Sequence, residues 1–297
     1  MIKAIPVFYS EEMNADSGHA ISPSASKPAK VVQDWESHSM PIKVYGCTAA
    51  PVAAITLAHD RRHVQGVLDG TIRNGFGTFD KAVARAATYQ CGSLMAAAKY
   101  VMANRRFRPV AVSPSSGFHH AHWADCGGYC TFNGLMVTAM NLLMLHADIT
   151  IGILDFDYHW GDGTAAIIKR VGGDRIKHIS AGSDHTRSAA DILRLSMLGL
   201  SNLGRCDLLL YQAGADQHID DPLGGVLTTE QMAQRDRNVF AAAREFHVPL
   251  VWNLAGGYQT NAKGSIEPVL ALHRQTMQQC SDIFIHQLER VEEKAKP

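Results

Sequence analysis

Aspartates and histidines recur in this chain at spacings that can hold a metal ion. In LDFDYHWGDGT (154–164), Asp155, Asp157 and His159 lie two apart, so in an extended segment their side chains leave on the same side. Asp157 and His159 offer a carboxylate oxygen and an imidazole nitrogen to one divalent ion, and Asp216 in GADQHIDDP (214–222) offers a third donor. Three protein ligands leave positions open for water and substrate, the pattern of a catalytic zinc. A carboxylate-rich site with one imidazole also accepts Fe2+ or Co2+. His119 and His120 are adjacent, and Asp155 and Asp162 remain as carboxylates able to orient two imidazoles. One Asp per His fixes the tautomer and raises ring basicity, as a general base acting on metal-bound water requires. Tyr258 follows Gly256-Gly257 and offers a phenol to an oxygen that becomes negative, while the glycines let backbone approach a ligand. Gly127-Gly128-Tyr129 is a second such place, with Tyr129 as an aromatic wall. Alone, each motif fits a solvated turn or a polar loop.

Their positions along the chain join them. Short, continuously apolar runs at 4–9, 42–47, 109–113, 148–154, 176–180, 207–212 and 248–254 read as strands covered on both faces. Helical periodicity fills 57–68, 79–104, 132–146, 163–170, 229–246 and 263–292 between them. This alternation predicts an α/β fold: one domain over 1–297, an open parallel sheet of about eight strands, and helices on both faces. The stretch 14–29 reads as a surface loop, and 181–204 as polar turns followed by a weak helix. Polar clusters follow the runs ending at 113, 154, 212 and 254. In an open parallel sheet all strands end on one edge, where ligands bind, so the four clusters converge.

Composition narrows the function classes. The 28 basic residues balance 28 acidic ones, which gives no general attraction to nucleic acid or to an anionic membrane. No window approaches the roughly 20 apolar residues of a spanning helix. Six scattered cysteines in 297 residues are few for a disulfide scaffold and read as reduced thiols of a cytoplasmic protein. Cys126 and Cys130 lie near the histidine pair, where a thiol nucleophile is an alternative that the metal set makes unnecessary. Homo-oligomerisation is left open.

The ordered set GFHHA (117–121), GGYCTFNG (127–134), LDFDYHWGDGT, GADQHIDDPLGG (214–225) and AGGY (255–258) resembles the histone deacetylase family, including its bacterial amidohydrolase and acetylpolyamine deacetylase members. The resemblance runs from about residue 57 to 258. It implies an arginase/deacetylase-like fold and hydrolysis of acetyl or other short acyl groups from acetyl-lysine, acetylpolyamines or small amines. It places zinc on Asp157, His159 and Asp216, pairs His119 with Asp155 and His120 with Asp162, and gives Tyr258 the acyl carbonyl. Gly128 and Tyr129 match the substrate channel. A monovalent cation, usually potassium, would sit at Asp155, Asp157, His159 and Ser180. Two departures stand out. Ser115-Ser116-Gly117 replaces Pro-Pro-Gly, and Lys30 stands where an N-terminal arginine is expected. Asp80 is the candidate for the family's rim aspartate. The alternatives are a two-manganese ureohydrolase of the arginase type and a non-catalytic acyl-lysine binding protein.

Overall fold

Each of the seven apolar runs forms a strand in the computed structural model, which describes residues 3–18, 22–106, 109–182 and 188–286. The strands are β1 (Ile5–Phe8), β2 (Ile42–Tyr45), β3 (Val110–Ser113), β4 (Ile151–Asp155), β5 (Ile176–Ser180), β6 (Leu208–Gln212) and β7 (Leu250–Asn253). They form one parallel sheet in the order β2-β1-β3-β7-β6-β4-β5. Seven strands rather than about eight complete it among the described residues.

The runs are apolar throughout because successive side chains enter opposite cores. Leu209, Tyr211, Leu250, Trp252, Val110 and Val112 face α1 (Lys27–Ser37), α7 (Ala189–Leu203), α8 (Thr229–Glu245) and α9 (Glu267–Ser281). Leu208, Leu210, Val251 and Ala111 face α2 (Val52–Ile55), α3 (Arg61–Asp69), α4 (Lys81–Asn104), α5 (Gly134–Leu145) and α6 (Asp162–Val171).

Two helical expectations need correction. Of the stretch 14–29, residues 14–18 are irregular and intermediate to exposed, as a surface loop is, whereas Ser22, Ser24, Ala25, Lys27 and Pro28 are buried and α1 starts at Lys27, with Pro28 in its first turn. The helix expected over 263–292 is α9 followed by a π-helical turn at Asp282–His286, and 287–292 lie outside the described residues. Asp80 accepts from the Ala82 N–H at 2.7 Å and is the N-cap of α4.

The four strands that precede the polar clusters, β3, β7, β6 and β4, are consecutive neighbours. Ser113, Asn253, Gln212, Asp155 and Ser180 are register partners across them and β5, so the switch from apolar to polar occurs at one level. Gln212 Nε2 donates to Asp155 Oδ1 at 2.8 Å within this buried row.

The long connection after β3 carries His119 and His120, and Asn133 and His59 pin it. Asn133 caps α5 by accepting from Met136 N–H, and its amide donates to Ala121 O (3.1 Å) and Thr164 Oγ1 (3.0 Å). His59, wholly buried, donates from Nδ1 to His122 O and accepts from Asn133 N–H at Nε2, both at 2.8 Å. That geometry needs neutral imidazole, and burial pushes the His59 pKa down to about 4. The unfolded chain therefore binds a proton that the folded chain refuses. His59 contributes stability above pH 6.5 that is lost as pH falls towards 4, on the order of 3 kcal/mol.

His59→Gln keeps one donor and one acceptor but cannot titrate. It is expected to weaken the acid sensitivity of urea unfolding between pH 6.5 and 4 while holding stability at pH 7.5 within about 1–2 kcal/mol. His59→Leu should lose about 2–4 kcal/mol at pH 7.5 by stranding both partners. An unchanged pH slope in the Gln variant removes His59 as the acid-sensitive group.

Candidate active site

The segment after β4 does not run extended. Asp155 Oδ1 accepts from Asp157 N–H (3.1 Å), and Asp157 Oδ1 accepts from His159 N–H (3.0 Å), two successive Asx-type turns. The chain curls, so Asp155 does not leave on the same side as Asp157 and His159. Asp155 stays in the buried row and takes His119, whereas Asp157 and His159 turn towards the loop after β6, where Asp216 waits.

Backbone aims both carboxylates of that trio. Gly256 N–H donates to Asp157 Oδ2 (2.9 Å), and Tyr158 N–H donates to Asp216 Oδ1 (3.1 Å). The remaining oxygens, Asp157 Oδ1 and Asp216 Oδ2, lie 3.1 and 3.2 Å from His159 Nδ1. All three donor atoms fall within 4.8 Å of one another, the single such cluster of three among the described residues. Ligand atoms about 2.1 Å from a tetrahedral zinc lie about 3.4 Å apart, so the trio fits such an ion in spacing and donor type.

The charges agree with that fit. Burial and the neighbouring Asp157 charge push the Asp216 carboxyl up to about 8. Asp157 is also buried, yet the His119 charge and the hydrogen bond from His159 hold it well below the carboxylate range. Hydrogen bonds to Asp157 and Asp216 push His159 up to about 11. The same negative field attracts a divalent cation.

Both histidine–aspartate pairs form as expected. His119 Nδ1 donates to Asp155 Oδ2 at 2.7 Å, and His120 Nδ1 donates to Asp162 Oδ1 at 2.6 Å. His119 Nε2 lies 3.6 Å from Asp157 Oδ1, which places this ring against the trio. The environments push the two imidazoles apart. Burial opposes charge on His119, but Asp155 and Asp157 outweigh it and lift the ring to about 9. Burial and the adjacent His119 lower His120.

The glycines have steric reasons. A Cβ on Gly256 would lie 2.2 Å from Asp216 Oδ2 and 2.8 Å from Asp157 Oδ2, and one on Gly128 would lie 2.4 Å from the His120 ring. Gly257, at φ +140°, adopts a conformation that side chains rarely allow. Tyr258 is 8 % exposed, its ring centroid is 5.7 Å from that of Tyr129, and Phe76 stands 5.6 Å beyond Tyr129. Burial and the Asp157 charge hold the Tyr258 phenol well above its ordinary pKa, so it keeps its proton as a donor. Ser180 Oγ accepts from Gly161 N–H at 3.1 Å, beside Asp155 in the register. The thiols are poor nucleophiles, since burial pushes Cys126 up to about 12 and Cys130 further.

Three groups escaped the sequence reading. Lys27, rather than Lys30, is fully buried and donates from Nζ to Ala255 O at 2.6 Å, at the start of AGGY, where Ala255 has φ +55°. Asp221 accepts from Tyr258 N–H at 2.8 Å. His122 Nε2 lies 3.2 Å from Asp162 Oδ2. His185 lies outside the described residues, and His218 contacts Thr229 Oγ1 at 2.9 Å. The buried Lys27 had one signal, its place directly before a proline in the first turn of a helix.

Gly256→Ala should displace both carboxylates while leaving the sheet intact. Bound divalent metal, measured by elemental analysis after equilibration at limiting metal, is expected to fall at least about tenfold in affinity. Wild-type affinity in a folded variant would show that Gly256 does not set the trio's geometry.

Known proteins bear on this site through both sequence and fold. An uncharacterized protein of Picosynechococcus is 25% identical over 259 residues, covering 79% of this chain and 85% of that one. Histone deacetylase 2 of Arabidopsis thaliana is 25% identical over 196 residues, 57% of this chain and 49% of the relative, so the match spans about half the plant protein. The crystal structure of an acetylpolyamine aminohydrolase from Burkholderia pseudomallei superposes with a TM-score of 0.73 over 94% of this chain and 99% of that one, at 18% identity. At that identity the likeness establishes a shared fold, the arginase/deacetylase-like parallel sheet. Residues 29–189, over half of the chain, match the histone deacetylase domain, and the chain belongs to that family.

Proposed function

We propose that this protein is a metal-dependent deacylase that hydrolyses acetyl or another short acyl group from an amine. The observation that carries the reading is the pair of His–Asp dyads set against the Asp157–His159–Asp216 trio, with His119 Nε2 3.6 Å from Asp157 Oδ1. Held by the trio, a zinc ion (or Fe2+ or Co2+) would supply Lewis acidity towards the acyl carbonyl and the attacking water.

The chain's own groups supply the proton transfers. Asp162 holds His120 with its Nδ1 proton inward, so Nε2 carries a free lone pair. Because His120 is the imidazole held below its ordinary pKa, it takes the proton of the attacking water and returns one to the leaving amine. His119, held up by Asp155, stays charged near neutrality and stabilises negative charge that develops beside it. Tyr258 donates its hydroxyl to the acyl oxygen as that oxygen becomes negative. Gly256 and Gly257 bring backbone close to the substrate, and Tyr129 with Gly128 lines its approach. Acetyl-lysine, acetylpolyamines and small acetylated amines share this chemistry. A potassium ion at Asp155, Asp157, His159 and Ser180 would brace the β4–β5 end of the site.

Two observations weigh against the alternatives. Asp155 already accepts from His119, Gln212 and Asp157 N–H, and Asp162 accepts from His120, which leaves no second set of bridging carboxylates among the described residues for a two-manganese ureohydrolase. The proton-holding groups are all present, which favours turnover over passive binding. No helix among the described residues is long and apolar enough to cross a membrane.

The test is acetate release from a panel of acetyl-lysine peptides and acetylated putrescine, cadaverine and spermidine, with metal-loaded and chelated protein. Turnover is expected to require the metal. Tyr258→Phe should keep metal and fold while kcat falls about 10²–10³-fold. Activity that survives complete chelation overturns the reading, and near-full activity in the Phe variant removes Tyr258 from it.

A further inference from the structure

We propose that Arg235 is a positioning residue for the metal trio: from beneath the site its guanidinium ties the loop after β4 to the loop after β6 and so sets the separation of Asp157 and Asp216. This rests on the reading of Asp157, His159 and Asp216 as metal ligands.

Arg235 projects from α8, is fully buried, and turns one nitrogen, Nη1, to the backs of both loops. Its Nη1 donates to Gly214 O at 2.7 Å, two residues before Asp216, and to Phe156 O at 3.2 Å, the residue before Asp157. Gln217 extends the bridge. Its Oε1 lies 3.5 Å from Arg235 Nη1, and its Nε2 donates to Asp157 O at 3.3 Å and to Ala181 O at 3.4 Å. One planar group thus meets carbonyls of two loops that have no sequence proximity.

The guanidinium is itself held in place. Arg235 Nε and Nη2 both lie 2.8 Å from Asp236 Oδ1. The same oxygen accepts from the Tyr211 hydroxyl of β6, and Asp236 Oδ2 accepts from Thr276 Oγ1 of α9 at 2.6 Å. The clamp is therefore anchored to the sheet and to two helices before it touches either loop.

Stability alone does not account for this arrangement. Replacing a buried ion pair with well-packed apolar residues is often neutral or stabilising, so the pair has to be explained by what it orients. A lysine would carry the charge but lacks the rigid plane that lets Nη1 meet both carbonyls while Nε and Nη2 are held by Asp236. The guanidinium also sets a permanent positive charge beneath two buried carboxylates that must stay close together.

The experiment measures metal affinity of the full chain by competition with a chromogenic Zn2+ chelator, together with the visible spectrum of the Co2+-loaded protein. Neither readout needs substrate, so the comparison holds whatever amine is turned over, and a failed deacylation assay is a separate result. Arg235→Lys is expected to fold and to bind Zn2+ about 10–100-fold more weakly, with shifted cobalt bands. The paired variant Arg235→Met with Asp236→Asn strands no charge and decides the question if the lysine variant does not fold. The same weakening and band shift are expected of it. Trp35→Phe, a core substitution on the same side of the sheet, should lower the melting temperature without moving the cobalt bands. Wild-type affinity with unshifted bands in either folded Arg235 variant overturns the proposal.

Discussion

Asp155, Asp157 and Asp216 are 0, 2 and 0 % exposed, and holding three carboxylates out of water at one place is the constraint on which the rest of this structure depends. Isolated, each would be protonated or would unfold its surroundings. Each is instead met by aimed donors. Asp155 takes His119, Gln212 and a backbone N–H. Asp157 takes the N–H groups of Gly256 and His159, and Asp216 takes that of Tyr158. Lys27 and Arg235 add buried positive charge from two helices of the same face, α1 and α8. The site is thus a solution to a desolvation problem, and its chemical capacity follows from the groups that solve it.

A parallel sheet suits this because all of its strands expire on the same edge. The polar row Ser113, Asn253, Gln212, Asp155 and Ser180 marks that edge within the sheet, one residue per strand. Below the row the side chains alternate into two apolar cores, and above it the loops fold over the pocket. A slip of one residue in any strand would exchange the two cores' side chains and carry the polar row into one of them.

Much of this was legible in the sequence because its signals are local. Continuous apolar runs gave all seven strands, and polar clusters after four of them identified the edge. The trio, the presence of two His–Asp dyads and Tyr258 were named from residue type and spacing, the pairing within the dyads from the family resemblance, and the structure gathers the trio's donor atoms and forms both pairs. What stayed hidden depends on contacts between distant segments. The D-x-D-x-H stretch looked extended because period-two spacing does not reveal that Asp155 and Asp157 hydrogen-bond the backbone two residues ahead. Lys27 was masked by its Ser- and Pro-rich surroundings, which suggest a surface loop, although the residue is buried through its bond to Ala255, 228 positions away. Arg235 and Asp236 left a faint mark, a charged pair among Met232, Val239 and Phe240 on the buried side of α8.

The hydrogen bond from Gly256 to Asp157 joins residues 99 positions apart. During synthesis the acidic loop therefore emerges well before the amide that orients it, a gap of about 5–20 s at ordinary elongation rates. Until β7 inserts between β3 and β6, the nascent chain carries its acids without their last partner and its central sheet divided in two. The finished pocket can exist only once the chain has been made through β7 and Gly256, so the arrangement of its carboxylates reports that the sheet has closed.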